Sequence, residues 1–208
     1  LVRYVRVLRF EKYIGRAMPG ATAGPVAKVL NAVTSIRSEW RRMAGPRLAS
    51  AWHSDGTHLD IDDLWRRSVQ GDSVLSRRTA EFIGWRVDAF PGEAIRILKI
   101  RERGSGQLVA WFACQADGGL LNICDFWSVE GARNLPLEYL EALVFSAHHE
   151  KYDGVSISIS TGGPMHASLL GADFRPRGTR PIYGMWTTRR NGVETNAHLH
   201  MTAIDEDE

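Results

Sequence analysis

The sequence predicts a mixed α/β domain, in which a central mixed sheet of about seven strands is flanked by about four helices. Three observations predict this class. Short runs of alternating or β-branched residues recur between turns rich in glycine and proline. Amphipathic patterns of helical period stand before, between and after these runs. Apolar residues make up 44% of the 208 residues and charged residues 24%, a composition typical of globular domains.

The first 46 residues are expected to be a basic connector, with the domain following over residues 47–208. Residues 1–50 hold 10 Lys/Arg and 2 Asp/Glu, a balance of +8, against −6 for the remainder. Apolar spacing predicts a helix over residues 26–43, which Gly45 and Pro46 end. Because the chain opens on Leu1 without a methionine, we expect a truncated chain whose basic front packs on an acidic partner domain. Binding to nucleic acid or anionic lipid is the alternative, and no nucleic-acid motif accompanies the charges.

The domain is expected to begin with a strand over residues 47–53 and two helices. Asp60 is predicted to cap the first helix and Ser76 the second. The predicted buried positions are Ile61, Leu64, Trp65 and Val69 in the first helix, and Phe82, Ile83 and Trp85 in the second. Three strands joined by glycine-containing hairpin turns are then predicted over residues 94–101, 107–115 and 120–129.

The strongest helical pattern of the chain follows these strands. It covers residues 135–150, with Pro136 in the first turn and Gly154 after the end. Strict alternation predicts a strand over residues 155–160, and a short helix is expected over residues 165–171. Strands over residues 174–177, 182–188 and 197–203 complete the prediction.

This element order, β-α-α-β-β-β-α-β-α-β-β over about residues 47–204, resembles the GNAT superfamily of N-acyltransferases. The chain is more closely similar to the C-terminal half of uncharacterised bacterial tandem-GNAT proteins. Two patterns carry that likeness. The helix pattern comprises Arg78, Phe82, Ile83, Trp85 and Arg86, and the C-terminal pattern comprises Leu199, Met201, Thr202 and the acidic residues 205–208.

The resemblance implies transfer of an acyl group from acyl-coenzyme A to a primary amine of a small metabolite or amino sugar. A helix start after a strand suits a pyrophosphate, because its unpaired N–H groups and positive dipole end favour anions. The implied cofactor-binding residues are Trp127, Val129, Gly131, Ala132, Arg133 and Asn134. The usual glycine spacing is not reproduced, and Pro136 removes one N–H. Trp111, Trp127 and Trp186 are predicted beside the cleft, where they can pack the core or stack on a sugar or adenine.

Acyl transfer to an amine needs a base for the amine and an acid for the leaving thiolate. Asp125 is the candidate base, with a carboxylate hydrogen-bonded at a strand end as the alternative interpretation. The family's tyrosine acid is absent, since Leu169 stands at its position, and Tyr183 is the candidate replacement unless it is a core residue. These departures leave a second hypothesis open. The domain can be a catalytically degenerate packing or substrate-positioning module of a tandem protein, with a second GNAT-like domain or a homodimer partner.

The remaining residues predict no further chemistry. Cys114 and Cys124 are expected to be free thiols in a reduced cytoplasm. His198 and His200 alternate on one predicted strand, but no third ligand accompanies them, so no metal site is predicted. The sequence contains no apolar run of membrane-spanning length, and we expect neither a membrane nor a nucleic-acid partner.

Overall fold

The structure is a computed structural model, and it describes residues 1–11, 14, 24–29, 31, 32, 48–53, 59–70, 75–88, 94–160, 163–181 and 200–205. Its centre is a seven-stranded sheet with the strand order β2-β3-β4-β5-β6-β1-β7. The strands are β1 Val2–Val7, β2 Leu48–His53, β3 Arg96–Glu102, β4 Leu108–Asp117, β5 Leu120–Ser128, β6 Gly154–Ile159 and β7 Arg175–Thr179. Strands β5 and β6 are parallel, and the other neighbouring pairs are antiparallel.

Four α-helices with defined bounds accompany the sheet in the described part of the chain. They are α1 Leu59–Arg67, α2 Ala80–Ile83, α3 Leu137–His149 and α4 Gly163–Gly171. Helix α2 continues directly into a π-helical turn, Gly84–Asp88, and a 3₁₀ turn covers Ala203–Asp205. Residues 24–29, 31 and 32 are also helical. The predicted mixed α/β class is confirmed, and the arrangement is consistent with the expected GNAT-like fold.

Two apolar cores lie on opposite sides of the sheet. The larger core packs α3 and α4 against the sheet through residues such as Leu140, Leu143 and Phe174. The smaller core packs α1 and α2 against β4 and β5 through Leu64, Ile83 and the Trp111–Trp127 pair, among others. The long apolar face of α3 explains why β5, α3 and β6 form a crossover between parallel strands.

Strand β1 is the main difference from the predicted organisation. Residues 2–7 lie between β6 and β7 and pair with both, although the prediction placed residues 1–46 outside the domain. The alternation of the segment explains this position, because Tyr4 is 1% exposed in the larger core. Arg6 is buried as well, paired with Glu141 on α3 at 3.1 Å. At least this arginine of the basic N-terminal segment therefore forms a buried ion pair with a helix that packs on the sheet.

The last predicted strands fall largely outside the described residues. Residues 182–188 lie outside them entirely. Of the predicted strand over residues 197–203, the described part forms a single antiparallel bridge between Thr202 and Ile159, and then the 3₁₀ turn. The hairpin turn before β5 takes two residues, Gly118 and Gly119, both with positive φ. Positive φ at both turn positions matches the right-handed twist of the flanking strands.

Candidate functional site

Strands β5 and β6 separate part of the way along their length. Their parallel pairing ends at Ile123 and Ile157, while β5 continues to Ser128 and β6 to Ile159. The register between β4 and β5 also shifts at this point, so that Cys124 is an extra residue on β5. Such bulges bend a strand and are common beside functional sites. The result is a gap between the two strands next to Asp125.

Residues 200–205, here called the closing segment, occupy this gap. On the β6 side, Thr202 bridges Ile159, and the Met201 carbonyl oxygen accepts a 3.0 Å bond from the Ser160 N–H. On the β5 side, the Thr202 hydroxyl donates a 2.8 Å bond to Asp125. Ile204 enters the smaller core, 8% exposed. The chain itself therefore fills the space between the diverging strands.

A buried charged cluster fastens the closing segment. Arg78 lies at 3.3 Å from the Asp125 carboxylate and 2.5 Å from that of Asp205, and Arg78 and Asp125 are both 0% exposed. The Asp205 carboxylate also accepts the Ser76 hydroxyl at 2.8 Å. Thr79, not the predicted Ser76, caps α2, since its hydroxyl accepts the Phe82 N–H. The Arg78 guanidinium thus connects three parts of the chain, namely the segment before α2, strand β5 and the closing segment.

The environment of the cluster changes the acidity of its members. Burial raises the pKa of the Asp125 carboxyl, against the opposing effect of Arg78. Burial opposes the charge on Arg78, but Asp125 and Asp205 outweigh it and raise the pKa of the guanidinium. Asp125 is thus a carboxylate closed off from solvent and engaged by Arg78 and Thr202. A general base would need contact with the substrate amine, and Asp125 has no exposed surface in this arrangement.

His200 completes the closing segment on the aromatic side. Its ring stands edge-on to Phe126 and Trp127, with centroid distances of 5.7 Å to each. Burial, and then Arg78, lower the pKa of this imidazole to about 4, so it is neutral at neutral pH. Its Nε2 is buried without a hydrogen-bond partner among the described residues.

The predicted cofactor residues on β5 are engaged in packing and backbone bonds. The Trp127 indole donates to the Ser68 hydroxyl at 2.8 Å and packs on Trp65 at a centroid distance of 4.9 Å. The Val129 N–H bonds to Val109, and the Val129 carbonyl accepts the Val69 N–H, both at 3.0 Å. Trp127 is 1% exposed, so its ring faces the smaller core rather than a cleft.

The turn before α3 holds the other predicted cofactor residues. The N–H of Gly131 bonds to Ser128 and that of Arg133 to Glu130, both inside the turn. The Asn134 side chain accepts the Leu135 N–H at 2.9 Å and the Ser168 hydroxyl at 2.8 Å. Ala132 packs on the smaller core. The N–H groups of Gly131, Arg133 and Leu135 are thus bonded within the chain, and Pro136 has no N–H to offer a pyrophosphate.

The structure explains why residue 131 is a glycine. Gly131 adopts φ +58°, and a Cβ at this position would lie 1.8 Å from the Val69 carbonyl oxygen. The glycine is therefore required by the close approach of the chain after α1. A phosphate-binding role is not needed to explain it.

Tyr183 and His198 lie outside the described residues. Within the described part of the chain, no group of three or more His, Cys, Asp or Glu side chains is arranged to hold a metal ion. Cys114 and Cys124 are free thiols, as predicted. No helix of the described ranges combines the length and apolar character needed to cross a bilayer.

Sequence reasoning named Arg78, Thr202 and Asp205 as parts of family patterns but gave them no role. A possible signal was charge placed inside otherwise apolar patterns, since buried charges occur only when paired. Trp85 was predicted to be buried and is 63% exposed. Ile83 and Val87, one turn apart, take the buried face instead, which turns the intervening Trp85 outward.

Comparisons with known proteins add little to this description. No family model and no curated protein matches the chain. Among solved structures, the chain is similar to the C-terminal domain (DUF2156) of a proposed lysylphosphatidylglycerol synthetase from Agrobacterium fabrum, with a TM-score of 0.39 and 11% identity. The likeness covers 83% of this chain and 49% of that one, so the chain spans about half the length of the neighbour. The fold assignment therefore depends on the strand order and registers given above.

Proposed function

We propose that the chain is a catalytically degenerate GNAT-like domain that serves as a packing or substrate-positioning module. The observation that carries this proposal is the filled gap between β5 and β6. An extended donor such as acyl-coenzyme A needs room beside β5, and Thr202 bonds to both strands there. In this arrangement Asp125 holds the closing segment and has no exposed surface for a substrate amine.

Two further features support the module. In the turn before α3, the N–H groups of Gly131 and Arg133 bond to carbonyl oxygens of the chain itself, as described above. A second GNAT-like domain, or a second copy of the chain, is the proposed partner, and the exposed Arg3 together with the exposed edge strand β7 offers basic surface to it.

N-Acyl transfer from acyl-coenzyme A to a small amine or amino sugar is the second candidate. One observation favours it, namely that β5 and β6 do separate beside Asp125. Movement of the closing segment would then expose Asp125 to the acceptor amine. In this case Asp125 would take the proton of the amine, and the start of α3 would face the donor's phosphates.

Calorimetry with acetyl-coenzyme A separates the two candidates. The module predicts no heat at millimolar ligand, both for the chain and for a variant that ends at residue 199 and so lacks the closing segment. Near-ultraviolet circular dichroism must first show that this variant keeps its packed tryptophans. Saturable heat from either protein, followed by amine-dependent release of coenzyme A that Asp125→Asn abolishes, would replace the module with the acyltransferase.

A further inference from the structure

A second site lies between α1 and α2, on the solvent side of the smaller core. It is a cavity of about 750 Å³, lined by residues of both helices and by Arg77. This volume falls in the range of small-molecule sites, which is about 300–1,000 Å³. None of the residues proposed for the acyl donor lines it.

Aromatic rings form the apolar part of this cavity. Trp85 stands at its rim with 63% of its surface exposed, which is unusual for a tryptophan in a folded domain. The Arg86 guanidinium covers one side of the indole at 4.9 Å, and Phe82 meets the ring edge-on at 6.3 Å. Trp65 forms the floor. The π-helical turn that begins at Gly84 carries Trp85, and such turns are frequent at functional sites.

The polar lining is balanced in charge. The lining contains two arginines, Arg66 and Arg77, and two acids, Asp62 and Glu81. Asp62 accepts the Ala80 N–H at 2.8 Å and so helps to build the wall. Arg77 and Glu81 make no side-chain hydrogen bond or ion pair with other described residues. The cavity thus offers two guanidinium groups as donors and two carboxylates as acceptors, without a net charge among its lining residues.

We propose that this cavity binds a neutral saccharide. A sugar hydroxyl both donates and accepts, so it can use a guanidinium and a carboxylate together, whereas an anion or a cation can use only one of them. The C–H face of a sugar ring is apolar and flat enough to lie on an exposed indole. A nucleotide or an acidic peptide would need an excess of positive charge, and Arg66 already lies 3.6 Å from Asp63.

This inference rests on the positioning role proposed above, for which it names the substrate class. The two stand on separate observations, because the saccharide cavity involves neither Asp125 nor the closing segment. Heat from acetyl-coenzyme A would overturn the module and leave the saccharide site in place. Failure to bind saccharides would leave a domain that serves in packing alone.

The test is saturation-transfer NMR and calorimetry on the full chain, with cellobiose and N,N′-diacetylchitobiose as neutral probes and AMP and glucuronate as charged ones. We expect a neutral disaccharide to bind with millimolar affinity. Trp85→Ala should weaken this binding about tenfold, the size of a lost aromatic contact. Trp52→Ala is the matched control, because Trp52 also carries a stacked arginine, Arg96 at 4.6 Å, but lies on β2 away from the cavity.

Arg77→Gln and Glu81→Gln test the polar lining, and both are expected to weaken binding of the neutral probe. Because Trp85, Arg77 and Glu81 are exposed, their variants should melt like the parent chain. Three results would each overturn the proposal. They are the absence of binding by both disaccharides, tighter binding of AMP or glucuronate, and a Trp85→Ala protein that binds as well as Trp52→Ala does.

Discussion

Replacement of Arg78 by methionine tests whether the buried cluster holds the closing segment in place. The variant keeps most of the side-chain volume and removes the charge. It leaves two carboxylates, those of Asp125 and Asp205, without the cation that now lies 3.3 and 2.5 Å away. Removal of one partner from a buried ion pair costs about 3–5 kcal/mol, because the remaining charge stays buried without compensation. We expect Arg78→Met to lose this amount of the free energy of unfolding.

The neighbouring residue provides the matched control. Arg77 is exposed, so Arg77→Met should change the free energy of unfolding by less than about 0.5 kcal/mol. A triple variant, with Asp125→Asn and Asp205→Asn added to Arg78→Met, should recover much of the loss, since a neutral buried group needs no counter-ion. Acidification should also narrow the gap between Arg78→Met and the parent, because burial already raises the pKa of Asp125 and a protonated carboxyl tolerates the loss of Arg78.

Urea denaturation, followed by tryptophan fluorescence, measures all four proteins. An Arg78→Met protein that loses no more stability than Arg77→Met does would contradict a structural role for the buried charges. A triple variant that is less stable than Arg78→Met alone would contradict it as well. Either result would mean that the charges of the cluster contribute little and that apolar contacts of Ile204 and His200 hold the segment.

Three further predictions concern the closing segment, the turn before α3 and the first strand. The pKa of His200 is lowered from 6.5 to about 4, so between these pH values the folded state binds fewer protons than the unfolded state. The free energy of unfolding should therefore decrease by up to about 3 kcal/mol as the pH drops through this range. Thermal melts of His200→Phe should lose most of this slope, and an unchanged slope would contradict the burial of the imidazole. Gly131→Ala should cost more than about 2 kcal/mol by chemical denaturation, against about 1 kcal/mol for Gly106→Ala, which shares a positive φ but meets open space. Deletion of residues 1–8 should abolish the cooperative melt, since β1 bonds to both β6 and β7, and a melt equal to that of the full chain would restore the connector interpretation.

Local patterns of the sequence predicted most of the elements correctly. The period of the apolar side chains and the turn residues predicted the hairpins of β3, β4 and β5, the helix α3 and the strand β6. Both signals lie within short stretches of neighbouring residues. Their bounds differ from the predicted ones by a few residues at most. Trp85 was misplaced because the pattern showed which residues are apolar, while the choice of buried face depended on Ile83 and Val87.

The candidate site was predicted less well. Asp125 was singled out as a candidate base, and the residues that close the gap were quoted only as parts of a family pattern. The contacts of the cluster join Arg78 to Asp125 and Asp205, partners 47 and 127 positions away in sequence. The periodicity of a sequence gives no information about contacts between such distant residues. Each residue fits its own helix, strand or turn equally well whichever distant residue it contacts.

By itself, the sequence determined the fold class and the order of most elements, since these depend on local period, turn chemistry and composition. The tertiary structure alone decided three other matters. It placed β1 inside the sheet, it filled the gap between β5 and β6 with the closing segment, and it opened a cavity beside Trp85. The physical reason is the same in each case. Strand order and the pairing of buried charges depend on which distant segments meet, and that choice minimises the free energy of the whole chain rather than of any one element.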